Sequence, residues 1–535
     1  MKPNHERIWL GVILAVAAAN RLYKIDLPDV WVDEANLILT SAEPLGTLLG
    51  KLRVDSSPPL YYLAIRLWSA LFGDSAVALR SMSVIGGMLS VATLWWAARD
   101  LWSPRAGLWA AFYLAINPSH AFYSQQVRMY VWLGLLALLS LVGLVRFLRD
   151  GRRQDFALWV SSSIVALYTH NFAIHLAVAH ALLIALSGQL VSRLRQWVLA
   201  AVVVALAYAP WVPTLLVQLG NPDHYAWFLP VWEKSGLGGT IVKSLRSVSP
   251  SIEFMTYWGI GSFKTLWGIP TIGTSVLAAL GAGLAFRRIR AAGAVVALWP
   301  VIGVAAPAAS ALMVSLLLTP HYVPGRVDQM MLPEFSLLVG AAVAFVRPKL
   351  LRFALAAAIV SLAVVARFQM YDEYRDPDFI GGDRAAALAI TQAWQPDDVI
   401  ITTSLSRAPL VYYLQRIERG QTPNPYEGRI VSFPRESAEH LGAQNDERLL
   451  QDKPALTRET LETLAEARQL AGPRGRVFLV WVHGNVNYLL RRGALAPYGY
   501  SEIRFLGKFR QFGTGLLMEV RLYRPEPPAR RPRQP

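Results

Sequence analysis

The sequence predicts a polytopic α-helical membrane protein of about eleven spans, followed by a small external α/β domain. Three observations carry this. Hydrophobic residues make up 54% of the 535-residue chain and charged ones only 16%, against about 25% charge in soluble domains. The mean hydropathy is +0.34, and much of the charge lies after Tyr371, so the first two-thirds is apolar enough for lipid. Tight basic clusters recur at every second turn between the apolar runs. A soluble enzyme is excluded.

A span needs about 20 apolar residues at 1.5 Å of rise each. Candidate runs lie near 8–25, 76–98, 105–122, 128–148, 155–170, 171–190, 194–217, 263–286, 293–318, 326–346 and 350–370. One set of loops carries Lys2/Arg7, Arg99/Arg105, Arg146/Arg149/Arg152/Arg153, Arg193/Arg195, Arg287/Arg288/Arg290 and Arg347/Lys349/Arg352. Cytoplasmic loops are enriched in this way, so the N-terminus is expected in the cytoplasm. Residues 26–75, 221–262 and everything after Tyr371 then fall on the outer side. Lysine and arginine outnumber acids 52 to 36, a formal charge of +16. These bases set topology and meet membrane lipids, and no nucleic-acid partner is expected. The absence of cysteine excludes disulfides, thiol nucleophiles and Cys-zinc sites.

The first run has an uninterrupted apolar core of only Ile8–Ala19, which a signal peptide would share. Arg21 and Lys24 can snorkel to the interface, which favours a retained helix. The run 171–190 is interrupted by His175 and His180. The stretch from Pro58 to Gly73 contains Arg66, Trp68 and two tyrosines, and reads as a helix lying in the outer interface. The loop 221–262 is similarly aromatic, with Tyr225, Trp227, Phe228, Trp232, Tyr257 and Trp258. Residues 1–370 thus form the membrane domain and 371–524 the external α/β domain, with 525–535 a disordered basic, proline-rich tail. Within the α/β domain, 398–403, 429–433 and 476–482 read as strands. Thr457–Leu470 reads as an amphipathic helix with Leu461, Leu464 and Ala465 on one face, stopped by Gly472-Pro473.

The sharpest chemical feature is Trp31-Val32-Asp33-Glu34, directly outside the first span. Acid pairs at a membrane surface are mostly solvated. This one is flanked by apolar sequence, where an acid is costly unless it has a task or a partner. Adjacent helical residues point about 100° apart, so only one of the two acids can face a given pocket. A second set runs from Asn117 to Tyr130 and includes His120, Gln126, Arg128 and Tyr130. Its bland reading is an interfacial turn with a snorkelling arginine. Its functional reading is a phosphate clamp, because the guanidinium fork matches phosphate oxygens. The third set, Thr319–Arg326, brings His321 and a second candidate clamp, Arg326. An interfacial anchor is its rival. Three such sets on one side point together to an extracytoplasmic site for an anionic, membrane-borne substrate.

These sets, with Asp55-Ser56-Ser57-Pro58-Pro59-Leu60-Tyr61-Tyr62, Tyr168-Thr169-His170 and Pro324-Gly325-Arg326 in the same order, resemble the GT-C glycosyltransferases. The likeness is to the bacterial membrane proteins related to protein O-mannosyltransferases and aminoarabinose transferases. It covers roughly residues 8–370. It implies a GT-C-like membrane fold in a bacterial inner membrane, a periplasmic α/β domain, and transfer of a sugar on the periplasmic face from a polyprenyl-phosphate-linked donor to a lipid, glycan or protein hydroxyl. It maps the base onto Asp33, with Glu34 beside it, and the lipid-phosphate ligands onto Arg128 and Arg326. Tyr130 and His321 complete the donor-phosphate set, and Asp55, Tyr61, Tyr62, His120, Gln126 and His170 the substrate-binding set. Some members of the group carry a further acid that helps bind a metal. Asn117–Tyr130 contains none, so no cofactor is assigned and a divalent metal stays open.

Physical chemistry makes that reaction coherent. A carboxylate within hydrogen-bond reach can take the proton of an attacking hydroxyl. Guanidinium groups aimed at the departing phosphate favour the transition state over the ground state. A lone acid suits single-step inversion, whereas retention uses two carboxylates about 5 Å apart. Asp55 either orients the acceptor or caps the interfacial helix starting near Pro59. His170, His175 and His180, five apart, do not share a helix face as metal ligands must. Gly381-Gly382 lacks the Lys-Ser/Thr of a phosphate loop. A transporter or lipid flippase is the rival from another class, with Pro300 and Pro307 inside one span in its favour. A polysaccharide polymerase or ligase would share the arginines but not need the early acids.

Overall fold

The structure is a computed structural model that describes residues 3–221, 228–250, 268–375, 382–417, 424–433, 452–473, 475–482, 495–496, 499–510 and 517–525. Tyr225, Trp227, Tyr257, Trp258, Gly381 and the tail after Pro525 lie outside the described residues. The chain forms two compact units. One comprises Met1–Asp26 and Pro44–Glu373, the other Leu27–Glu43 and Tyr374–Pro535. The acidic segment that follows the first apolar run therefore belongs with the C-terminal unit.

Every run read as a span is helical over most of its described length. Six of the described helices are by themselves long and apolar enough to cross a membrane: Ala76–Leu101, Tyr130–Asp150, Leu194–Leu219, Ile269–Ala292, Ala294–Leu317 and Lys349–Met370. The run 105–122 is broken into Pro104–Ile116 and Pro118–Ser124. The cause is local: Pro118 has no N–H to continue the ladder, and the Asn117 side chain accepts from His120 N at 3.0 Å to start a new helix. Leu332–Phe345 is buried on every side, as an all-apolar helix inside a bundle must be. It fits because glycines let backbones touch: a Cβ on Gly340 would strike the backbone of Ala110, and one on Gly281 the carbonyl of Leu338.

The basic loops share one end of this bundle. Arg99 pairs with Glu6 at 2.8 Å, Arg146 with Asp155 at 2.9 Å, and Arg149 with Asp100 at 3.0 Å. Arg193 donates to the Phe147 carbonyl and Arg288 to that of Phe345. Pro300 leaves the carbonyl four residues back without its helical partner. That carbonyl, on Val296, accepts Trp102 Nε1 at 2.7 Å, so this gap in the hydrogen-bond ladder of helix Ala294–Leu317 is filled by packing and need not line a transport path.

Arg21 corrects the sequence reading. It does not snorkel; it is 0% exposed. Its guanidinium donates to the carbonyls of Ala17, Leu114 and Ala115 at 3.0, 3.2 and 3.0 Å, and to Ser124 Oγ at 3.2 Å, and lies 2.7 Å from His120 Nδ1. The opened carbonyls at the Asn117-Pro118 break recruit it inward, because buried carbonyls need donors. Arg21→Leu is expected to destabilise this unit by about 2–3 kcal/mol, the worth of losing charge-assisted bonds. A thermal melt in detergent checks it, and an unshifted melt would refute it.

The second unit is built on a five-stranded sheet ordered β2-β1-β3-β5-β4, where β1 is Val399–Thr403, β2 Ile430–Phe433, β3 Val477–Val482, β4 Tyr500–Arg510 and β5 Leu517–Pro525. The first three pair in parallel, and β5 pairs antiparallel with β3 and β4. Strand alternation divides the core. Val399, Ile401 and Leu479 face helix Lys453–Ala471; Ile400, Phe478 and Val480 face the side holding Ile390, Leu410 and Leu414. Lys453–Ala471 buries Leu456, Thr460, Thr463, Leu464, Ala467 and Ala471. Leu461 and Ala465 are exposed, so the buried stripe is rotated from the one expected.

Candidate functional site

The end of the membrane unit opposite the basic loops gathers most of the residues singled out in the sequence. Arg128 sits in the turn before helix Tyr130–Asp150. That turn is fixed by its own N–H donating to the Gln126 carbonyl at 2.8 Å. Its guanidinium donates to Tyr130 Oη at 3.2 Å and lies 5.4 Å from the Tyr130 ring. Tyr130 packs between Tyr123 and His170, with ring centroids 5.2 and 5.7 Å away. His170 ends helix Arg153–Thr169, and its Nδ1 accepts from Phe172 N at 3.0 Å to start the next turn. Arg128, Arg326 and His321 are all close enough to act electrostatically on the His170 ring. Two guanidinium groups from distant stretches of chain thus act on one imidazole, each half-buried among buried neighbours.

The Pro324-Gly325-Arg326 turn is built by its sequence. Proline presets φ and glycine supplies the positive φ such a turn needs; Gly325 has φ +85°. The turn is anchored by Asp328, fully buried, which sequence reasoning missed. Its carboxylate accepts from Gly325 N, Ser244 Oγ and Ser247 Oγ at 2.6 Å each, and from Tyr322 Oη at 2.5 Å. The available signal was an acid inside a run read as a span, which demands partners. Its partners on helix Leu229–Val248 could not be read from spacing.

His321 uses both ring nitrogens. Nδ1 lies 3.1 Å from the Thr319 carbonyl, which can only accept, so Nδ1 carries the proton. Nε2 then accepts from His175 Nε2 at 3.0 Å, and His175 Nδ1 accepts from Ser310 Oγ at 2.9 Å. Burial holds the His321 pKa below its ordinary value of 6.5, although the Thr319 carbonyl pulls it upward. The unfolded chain therefore takes up this proton first as pH falls. The stability due to neutral His321 is complete above about pH 6.5 and is lost on acidification. Melting curves between pH 7.5 and about 5 should steepen less for His321→Asn than for the parent protein. Identical pH dependence would refute this. His180 Nε2 meets Ser140 Oγ at 2.9 Å. Among the described residues no group of three or more acids and histidines is arranged to hold a metal ion.

Asp55 does not cap the interfacial helix. That helix, Leu60–Phe72, begins at Pro59 without a side-chain cap. Asp55 instead ends helix Leu45–Val54 and accepts from Tyr62 Oη at 2.6 Å. Arg128 acts electrostatically on that same tyrosine. Tyr61 Oη meets Ser83 Oγ at 3.0 Å, whose hydroxyl in turn reaches the Arg128 carbonyl at 3.4 Å. His120 is placed elsewhere, in the Arg21 network. Gln126 is 3% exposed, and neither its amide oxygen nor its nitrogen has a hydrogen-bond partner, an arrangement that a polar ligand would complete. In the second unit, Glu34 is fully buried while Asp33 is partly exposed. The two acids diverge as adjacent helical residues do.

The computed fold is similar to that of solved membrane proteins. ArnT from Cupriavidus metallidurans bound to undecaprenyl phosphate superposes with a TM-score of 0.54 at 15% identity, over 97% of this chain and 98% of that one. Its apo form gives 0.54 at 14% identity, over 96% and 97%. The chain has the GT-C fold. The family model described as dolichyl-phosphate-mannose-protein mannosyltransferase matches residues 56–214 of this chain. That range holds Arg128, Tyr130 and His170, and leaves out Asp33 and Arg326. The oligosaccharyltransferase of Archaeoglobus fulgidus, in complex with zinc and sulfate, is more distant: TM-score 0.48, 13% identity, over 88% of this chain and 67% of that one. No curated protein matches the sequence.

Proposed function

We propose that this protein is a GT-C membrane glycosyltransferase that moves a sugar from a polyprenyl-phosphate-linked donor to a hydroxyl acceptor. The observation that carries the reading is the pair of half-buried guanidinium groups, Arg128 and Arg326, that both act on His170 at one end of the bundle. Two half-buried cations there suit a phosphate on a lipid stem. The similarity to ArnT with bound undecaprenyl phosphate supports the same donor class. Tyr130 orients Arg128, Gln126 offers an unsatisfied amide to sugar or acceptor hydroxyls, and Asp55 holds Tyr62 within electrostatic reach of Arg128.

In this reading Asp33 is the base that takes the acceptor proton, and Glu34 supports its helix from the buried side. The sugar–phosphate bond breaks as the hydroxyl oxygen attacks. The phosphate leaves with its electron pair, neutralised by Arg128 and Arg326. With Glu34 turned inward, the site has one base, and the product anomer is inverted. The basic loops lie on the cytoplasmic side of a bacterial inner membrane, and the site and the C-terminal unit lie in the periplasm.

The test is to incubate the purified protein with polyprenyl-phosphate donors bearing different labelled sugars and envelope extracts as acceptor. Transfer with inverted anomeric configuration is expected. No transfer from any lipid-phosphate donor would overturn the assignment, and a retained anomer would overturn the single-base mechanism. Mass spectrometry of envelope glycans and lipids from cells lacking the protein would name sugar and acceptor together.

A further inference from the structure

The helix that carries Asp33 and Glu34, Val32–Ala42, lies near the start of the chain yet folds as part of the C-terminal unit. Its neighbour there is helix Arg407–Ile417, nearly four hundred residues later. The attachment is made at both ends. Before the helix, Val30 N–H donates to Tyr413 Oη at 2.8 Å, and Tyr413 Oη–H donates to Asp29 Oδ1 at 3.2 Å. The other oxygen of Asp29 accepts from Arg384 N at 3.2 Å, in the first turn of helix Gly382–Ala393. A carboxylate there is favoured by the helix dipole as well as by the bond. After the helix, Glu43 lies close enough to Arg407 to act on it electrostatically. Since Val30 meets Tyr413 and Glu43 meets Arg407, the two helices run antiparallel.

Asp29 is 6% exposed and Trp31 4% exposed, so this strap is buried. It fixes the backbone within four residues of Asp33. The N-cap of Val32–Ala42, Trp31, makes no side-chain cap bond, and Val32, Ala35, Leu37 and Ile38 are buried along the helix. An isolated helix of 11 residues is too short to be stable by itself in water. Its position is therefore dictated by what it packs against.

We propose that the C-terminal domain positions the base, and that Tyr413 and Asp29 are positioning residues for the transfer reaction. The inference rests on the reading of Asp33 as the base. It gives the soluble domain a direct part in turnover, because misplacing a catalytic group by about 1 Å can cost a hundredfold in rate.

The experiment uses the full-length protein with Tyr413→Phe, Asp29→Ala and Asp29→Asn, reading amide exchange in residues 27–43 together with kcat and the donor KM. Tyr413→Phe and Asp29→Ala should each speed exchange in that segment and lower kcat about tenfold or more, with the donor KM within about twofold. Asp29→Asn keeps an acceptor oxygen and should restore most of kcat, which a general loss of folding would not allow. Unchanged exchange, or faster exchange with unaltered kcat, overturns the inference. Asp33→Asn, measured alongside, separates the two failures. If it is inactive while the strap variants turn over normally, only the positioning role falls. If it is fully active, the base assignment falls and takes this role with it.

Discussion

Asp33→Asn is expected to lower turnover about a thousandfold, within the range a positioned general base supplies. The substitution keeps the size of the side chain and removes its ability to take a proton. The phosphate-binding residues of the proposed mechanism are left unchanged, so the donor KM should hold nearly constant while kcat collapses. Glu34→Gln is the informative companion. Glu34 is 0% exposed, so its replacement should register mainly in the melting temperature of the protein. Transfer from a labelled polyprenyl-phosphate donor, measured on protein with a normal elution profile, decides the matter. Full turnover in Asp33→Asn would remove the base.

The second large effect is expected at the guanidinium pair. Arg326→Ala and Arg128→Ala should each lower kcat/KM about a hundredfold to a thousandfold, as removal of one preorganised charge donor does in other active sites. Part of that loss falls on donor binding and part on the leaving-group charge that exists only in the transition state. Lysine at either position should recover only part of it, because it restores charge without the planar fork. Arg128 also bonds Tyr130 Oη at 3.2 Å, so Tyr130→Phe should reproduce a fraction of the Arg128→Ala loss. An undiminished affinity of Arg326→Ala for the lipid-phosphate donor would dismiss the clamp.

Much of the architecture was legible because membrane burial writes itself locally. Runs of about 20 apolar residues and arginine-rich turns need no tertiary knowledge, and the helices appear where those runs are. The clustering of Arg128, Tyr130, His170 and Arg326 was anticipated for a similarly direct reason: polar residues at the outer ends of spans share a plane. What stayed hidden was long-range. Asp328 looked like part of a span, since Ser244 and Ser247 stand some eighty residues away. Arg21 looked like a snorkelling anchor because its partners are carbonyls, which sequence does not display. Strands β4 and β5 were missed because charges interrupt their alternation, as in Ser501–Arg504 and Arg521. Arg521 is buried through its bond to Glu502 at 2.9 Å, a cross-strand pairing no local pattern reveals.

The wholly enclosed helix Leu332–Phe345 has a geometric corollary. Its 14 residues give a rod of about 21 Å, against about 30 Å of hydrocarbon. Anchored at its lower end beside the arginines of 347–352, it stops short of the opposite surface by roughly two helical turns. The loop carrying Arg326 and its buried continuation Val327–Met331 must occupy the missing height. Irregular backbone at that depth is tolerated only inside protein, which is where it lies. A lipid headgroup visiting this rim would accordingly sink below its neighbours in the leaflet, into a medium where each unit of charge counts for more than it does in bulk water.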